Sequence, residues 1–384
     1  CITLVLSVAT VLYAQDETPI AFEKTLHIAI NGGNNTAQDN VPLVIPLSDI
    51  KKVAKDFNTS FFRVKHPYSV IEPRDIPSQI YSMPGMDEES ANLAFVIDLK
   101  KNTPATVEIQ YNPKGSDPAN YPVKTQSFAK WYKMGENTAW ENEIMAYRSY
   151  SGVVDFFAKS YPHLRLHNLP PDSYHHERFW GLDAYNVGAK PGMCGVILVD
   201  GDTKIPCYDT SPDTKLVFDH KNIEGGPVAT GAQVTVSSSD GVLVEQTYML
   251  YDGRLENHVS SVLGKEHRGK GILIAPGVEK FEQSQLFASE GLLLISGTPV
   301  EEYGMIYTAL MWDPKDEAGQ FETEVGHHIM LKPDTDGVVN YRSIAIWSRN
   351  SDTGFTPVEQ IQDYLSALAK ECISSPTITI TSGR

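Results

Sequence analysis

Short segments with alternating apolar and polar residues, separated by turn dipeptides, recur along most of this chain. Between residues 196 and 347 the pattern predicts strands over 196–199, 215–218, 231–237, 242–250, 254–263, 271–275, 291–296, 303–312, 327–331 and 341–347. Asp240-Gly241, Asp252-Gly253 and Asp336-Gly337 provide turns between several of them. Short strands at this spacing indicate a large antiparallel sandwich. Upstream, residues 20–30 alternate, with Phe22, Leu26, Ile28 and Ile30 on one parity. Residues 41–47 read as a strand near a sheet edge, because Pro42 and Pro46 cannot pair fully. Ser48, Asp49 and Ile50 predict the start of a brief helix, and 93–99 and 106–111 are further strands. Residues 144–150 are read as a strand with Glu143, Met145, Tyr147 and Ser149 on one face. One helix is predicted near the C-terminus. Thr356 caps it, Pro357 suits its first turn and Glu359 completes a capping box. Val358, Ile361, Leu365 and Leu368 make its apolar stripe.

The fold class expected is therefore all-β: a large antiparallel β-sandwich with an N-terminal β region and a short C-terminal helix. The 24 Pro and 28 Gly agree with many turns, and a 41% hydrophobic share allows a sizeable core. Residues 1–15 contain an apolar stretch that ends in small residues and is followed by Asp16 and Glu17. They read as a signal peptide lacking its basic start, which implies a secreted or periplasmic protein. Residues 16–126 then form the N-terminal β region, and 127–384 the main sandwich that carries the site. No later apolar run has the length of a membrane span. A formal net charge of −16 argues against nucleic-acid binding and leaves room for a local basic cluster facing an acidic ligand. Nothing in the sequence indicates the oligomeric state.

Export permits disulfides. Placing a two-residue turn at Asp200-Gly201 sets Cys194 opposite Cys207, at a separation a disulfide can bridge. Pro206 argues against that pairing, and Cys372 would remain a lone thiol in the helix.

Candidate chemistry concentrates in residues 174–185. Tyr174, His175, His176, Glu177, Arg178, Phe179, Trp180, Asp183 and Tyr185 lie between a Pro-rich and a Gly-rich flank. If the segment is extended, Tyr174, His176, Arg178 and Trp180 share one face, and His175, Glu177 and Phe179 the other. The first set combines an acid/base group, a cation and an aromatic platform, which suits an anionic sugar. A polar loop packed by its own aromatics is the alternative. Phosphate-binding loops, dinucleotide fingerprints, serine-hydrolase elbows and zinc-protease helices are missing from the sequence. His327 and His328 open a late strand, so one of them, His328, could join His176. With a carboxylate such a pair could hold a divalent metal, although no cofactor is firmly implied. Arg254 and Arg148 are candidate carboxylate clamps, with Lys133 and Glu143 as further substrate contacts.

Residues 140–148 (Trp140-Glu141-Asn142-Glu143-Ile144-Met145-Ala146-Tyr147-Arg148), 174–177 and 180–188 resemble a family of secreted proteins from polysaccharide-utilisation loci described only as a domain of unknown function. Residues 75–79 and 95–99 resemble the same family's N-terminal part. The sequence departs from the pattern at His176-Glu177-Arg178-Phe179, where an Asp-His-Gly-like run is usual. The family looks related to the oligosaccharide dehydratase of ulvan breakdown. The resemblance implies a β-supersandwich like that of galactose mutarotases. It also implies removal of water from a non-reducing-end uronic acid in an acidic oligosaccharide. The residue types suit that reaction, with His176 as base or acid, Tyr174 or Tyr185 as its counterpart, Arg254 or Arg148 as clamp and Trp180 as platform. A glycan-binding protein without chemistry is one alternative. Another is a mutarotase or glycoside hydrolase, which would place Glu143 and Glu177 at the sugar.

Overall fold

A computed structural model describes residues 21–31, 37–67, 75–116, 120–128, 137–169, 175–184, 187–188, 190–211, 213–299, 301–350 and 358–383. Its sheets are antiparallel and build two sandwiches. In the smaller one, a five-stranded sheet contains Thr377–Ser382, Lys24–Asn31, Ala105–Tyr111, Phe62–Lys65 and Asp75–Ile76, in that order. A three-stranded sheet of Gln38–Pro46, Asn92–Leu99 and Ser78–Tyr81 faces it. Leu26, Ile28, Ile30, Val107 and Ile109 from one sheet meet Leu43, Ile45, Leu93, Phe95 and Ile97 from the other. The parity read at Leu26, Ile28 and Ile30 is thus the buried face. Gln38–Pro46 is an edge strand, as Pro42 and Pro46 require, and a short helix, Leu47–Val53, follows it. The last strand crosses back, with Ile380 opposite Ile28. Strands Lys24–Asn31 and Thr377–Ser382 therefore both belong to this unit.

The larger body stacks an eight-stranded sheet against two five-stranded sheets. In the eight-stranded sheet the order is Val217–Ile223, Ala229–Ser238, Gly241–Tyr251, Asn257–Leu263, Val338–Trp347, Ile306–Trp312, Leu292–Gly297 and Gln285–Ser289. One facing sheet holds Thr203–Pro206, Gly195–Asp200, Leu273–Glu279, Gly326–Leu331 and Glu317–Glu322. The other, which carries the candidate site, holds Gly181–Asp183, Val153–Lys159, Ala146–Tyr150, Asn137–Asn142 and Thr125–Phe128. Their inner faces form the main core, with Trp140, Tyr147, Phe156, Val196, Tyr248, Trp312 and Trp347 among its residues. The C-terminal helix, Val358–Ile373, adds Ile361, Leu365, Leu368 and Ala369 to that core. Near its end, Glu371 binds Arg254 and Arg342 of the sandwich. Gln79 ties the small unit to the large one, accepting N–H bonds from Val228 and Ala229 and donating to the Ala229 carbonyl. Among the described residues no helix is long and apolar enough to cross a membrane. Residues 1–15 lie outside the described residues.

Two expectations are corrected by register. The hairpin turns at Gly201-Asp202, where Gly201 has φ +56°, and pairs Asp200 with Thr203. Cys207 therefore donates its backbone N–H to Val196, not to Cys194, and both thiols are free and buried. His328 is fully buried, not at a rim. It pairs in register with Gly277 on one side and Phe321 on the other, and its ring stacks on Phe321 at 4.9 Å. Burial pushes its pKa down to about 4, and a ring enclosed this way does not fit the expected catalytic role.

A Cβ on Gly277 would lie 2.2 Å from the His328 ring. Gly277→Ala should destabilise the protein by about 1–3 kcal/mol, the usual cost of overpacking a rigid core. Equilibrium urea unfolding measures this, and an unchanged midpoint would contradict the packing described.

Candidate active site on the outer face of the site sheet

Antiparallel register assembles the candidate site. In Ala146–Tyr150, Tyr147 points into the main core, while Ala146 and Arg148 face outward. Met145, Tyr147 and Ser149 are therefore buried and do not present a binding face, while Glu143 lies outside this strand. Arg148 pairs with Asp155 of Val153–Lys159, and Phe157 of that strand pairs with Asp183. Arg148, Asp155, Phe157 and Asp183 thus share the outer face. At the same face Lys159 donates to Glu141 at 2.5 Å and to the Asn142 and His163 carbonyls. Glu141 also accepts the backbone N–H groups of Arg165 and Leu166, so this fully buried pair anchors the loop that covers the face. Burial pushes the Lys159 pKa down, against the pull of Glu141.

The segment 175–181 is not extended. The Arg178 N–H donates to the Gly181 carbonyl at 2.9 Å, and the Gly181 N–H donates back to Arg178 at 3.0 Å. Gly181 has φ +129°, and a Cβ there would lie 1.7 Å from the Ala158 oxygen, so only glycine fits. Trp180 and Phe179 sit at the corners of this turn and point opposite ways. Trp180 is 1% exposed and packs with Ala139, Ala146, Phe157, Leu166 and Leu169. The expected sugar platform at Trp180 is therefore corrected: its indole is core. Its neighbour Phe179 is 71% exposed.

Where the cover ends, four titratable groups converge. Arg148 donates from Nε to Asp155 at 3.2 Å, from NH2 to the other oxygen of Asp155, and from NH2 to Asp183 at 3.1 Å. Asp155 and Asp183 are buried. His175, roughly half exposed, stands at the mouth with Nδ1 3.4 Å from Asp183 Oδ2. Tyr303 donates its hydroxyl to the His175 carbonyl at 2.6 Å, and Arg349 holds Glu177 at 2.5 Å, which pins the loop. Tyr150, on the Arg148 side of its strand, has the guanidinium 5.1 Å from its ring centre. Glu279, buried and held by Lys190 at 2.7 Å, is a further carboxylate near Tyr150. Burial pushes the Asp155 carboxyl up to about 7 in spite of Arg148, and pushes the Tyr150 hydroxyl well up. Burial, followed by Arg148, pulls the His175 imidazole down, so it is neutral at pH 7.

Among the described residues singled out by sequence, the structure brings Arg148, His175 and Asp183 into this cluster. Arg148 is buried and committed to two carboxylates, so it positions them and is not an open clamp. Arg254 is likewise corrected. It donates to Glu256, to Glu371 and to the Asp39 carbonyl, beside a cavity of about 560 Å3 between the two sandwiches. Glu143 pairs with Lys124 at 3.7 Å, and Glu177 pairs with Arg349. His176 is exposed, and its neighbour His175 is the histidine backed by a carboxylate. Arg178 is exposed and has no ion-pair partner among the described residues. Tyr174, Tyr185 and Lys133 lie outside the described residues. Among the described residues, no group of three or more His, Cys, Asp or Glu is arranged to hold a metal ion.

Asp155 titrates above its unfolded value, so its contribution to stability is fully present below that value and is lost as pH rises through about 7. Arg148→Met removes the cation that offsets this effect. The variant should lose about 3–5 kcal/mol at pH 8, the cost of breaking a buried ion pair. It should lose less at pH 5, where the carboxyls can take up protons. Denaturant unfolding at the two pH values tests this, and an equal loss at both would contradict it.

Comparison with solved structures gives two matches. A protein in the glycosyl hydrolase family 38 from Enterococcus faecalis matches 95% of this chain and 48% of its own, with TM-score 0.52 and 7% identity. An alpha-mannosidase from Enterococcus faecalis V583 matches 94% of this chain and 46% of its own, with TM-score 0.44 and 7% identity. The chain thus spans about half the length of either. No curated protein matches it. The model of one family, a domain of unknown function, spans residues 30–378 and so takes in both sandwiches and the cluster around Arg148. The chain belongs to that family, DUF4861.

Proposed function

We propose that the protein is a carbohydrate-active enzyme that eliminates water from a uronic acid at the non-reducing end of an acidic oligosaccharide. The observation that carries this reading is His175 held by a buried carboxylate, three residues from the exposed Arg178. A neutral imidazole with Asp183 at Nδ1 presents Nε2 as a base. Arg178 supplies the cation that a uronate carboxylate needs before its C5 proton becomes acidic. Nε2 takes that proton, the C–H electrons form the C4–C5 double bond, and the C4–O bond breaks. The departing hydroxyl takes a proton from Tyr150, which burial keeps protonated, and leaves as water. Solvent then returns a proton to Tyr150 and removes one from His175. Arg148, Asp155 and Asp183 do not touch the sugar in this scheme; they fix the orientation of His175. The likeness of the fold to part of a glycosyl hydrolase family 38 protein is compatible with a carbohydrate substrate. The kinship with the ulvan oligosaccharide dehydratase and export from the cell belong to the same proposal.

Incubating the protein with uronic-acid-ended oligosaccharides should give a product lighter by one water, seen by mass spectrometry. His175→Ala should slow its formation by about 10²–10⁴-fold, the usual contribution of a positioned acid/base group. His176→Ala should have little effect. New reducing ends without water loss would point to hydrolysis, binding without product to a lectin-like role, and a near-normal rate in His175→Ala would remove His175 from the reaction.

A further inference from the structure

Beside the His175 cluster lies an exposed aromatic surface. Phe179 is 71% exposed and Tyr161 is 38% exposed. Their rings are tilted by only 23°, with centres 6.4 Å apart. His163 stacks behind Tyr161 at 4.3 Å, and burial lowers its pKa, which keeps it neutral. The Arg165 guanidinium lies 5.4 Å from the Phe179 ring centre. The two rings are therefore nearly parallel and exposed, an apolar patch supported by neighbouring side chains.

Three features identify what this patch takes. First, the Arg178–Gly181 turn turns Phe179 outward while its neighbour Trp180 is core, so the exposed ring is a product of fixed backbone geometry. Leaving a large aromatic side chain in water forgoes roughly 1.5–3 kcal/mol of burial, which an occupant could recover. Second, Arg165 lies beside the ring and has no ion-pair partner among the described residues, in a chain of net charge −16. Local positive charge within an acidic surface selects an anionic partner. Third, Phe179 follows His175 by four residues, so their Cα atoms lie within about 14 Å of each other. That is close enough for one short oligosaccharide to reach both. Exposed aromatic rings bordered by Arg165 fit the apolar face of a pyranose whose edge carries an anionic group.

We propose that Tyr161 and Phe179, with Arg165 beside them, form a subsite for the anionic sugar residues behind the reacting end. This rests on the carbohydrate reading above and extends it: the preferred substrate is an oligosaccharide longer than a disaccharide. Phe179 and Tyr161 are binding residues, remote from the bonds that change.

The test is isothermal calorimetry of the full chain with uronic-acid-ended di- and tetrasaccharides, each in sulfated and unsulfated form. Wild type should bind the tetrasaccharides more tightly. Phe179→Ala should weaken tetrasaccharide binding by about tenfold and alter disaccharide binding by less than about twofold, as loss of an anchoring side chain would. Phe179→Trp should restore the affinity. Phe179 is exposed, so the thermal midpoint of Phe179→Ala should match wild type and exclude misfolding. A difference between the sulfated and unsulfated arms identifies which anion Arg165 meets, and either preference supports the subsite. Equal tetrasaccharide affinity in Phe179→Ala and wild type, with water loss intact, overturns the subsite alone. Failure of wild type to bind or convert any of these sugars overturns both the subsite and the carbohydrate reading.

Discussion

A guanidinium buried between two carboxylates is the constraint on which the candidate site depends. Arg148, Asp155 and Asp183 come from three adjacent strands and have almost no contact with water. Burying such charges is unfavourable unless each finds a partner with good geometry. Asp155 and Arg148 face each other across a register pair, and Asp183 reaches the same guanidinium from the next strand. A one-residue slip of either strand would send a charge into the main core. The cluster therefore fixes the register of the site sheet. It also fixes where Asp183 stands, and with it the histidine that Asp183 can hold. The single net negative charge of two Asp and one Arg agrees with a raised Asp155 pKa, since one carboxyl can retain a proton.

The covering loop translates this constraint into a surface. Lys159 and Glu141 anchor it at one end, Tyr303 and Arg349 at the other. Between them the Arg178–Gly181 turn places Trp180 in the core and Phe179 in solvent. A histidine, an exposed arginine and an exposed ring are thus presented on one short, pinned segment. In the proposed function these three take the proton, neutralise the uronate and receive the next sugar.

Much of the fold was legible because apolar alternation reports which face is buried. Leu26, Ile28 and Ile30, and the helix residues Ile361, Leu365 and Leu368, were read to the correct face. The helix stripe was also placed on Val358, whose side chain lies outside the described residues. Val153–Lys159 was missed because both its faces are covered, so VVDFFAK shows no alternation. Its two charges, Asp155 and Lys159, were the available signal: charged residues in an apolar run are rarely buried without a partner. The site segment is legible as a cluster of chemistry-bearing residues, but an extended chain assigns the wrong faces within it. The tight turn breaks that alternation, and so it exchanged Phe179 for Trp180. His175 in place of His176 follows from Asp183, whose position depends on strand pairing between distant segments. The hairpin cysteines illustrate the same point, since moving the turn by one residue moves the pairing by two.

The most direct measurement is a crystal structure of the His175→Ala protein with an unreacted uronic-acid-ended tetrasaccharide. The account predicts the terminal uronate at the mouth of the Arg148–Asp155–Asp183 cluster, its carboxylate on Arg178, and the following sugars over Phe179 and Tyr161. Sugar bound instead in the cavity bordered by Arg254, Tyr364 and Glu371 would contradict it.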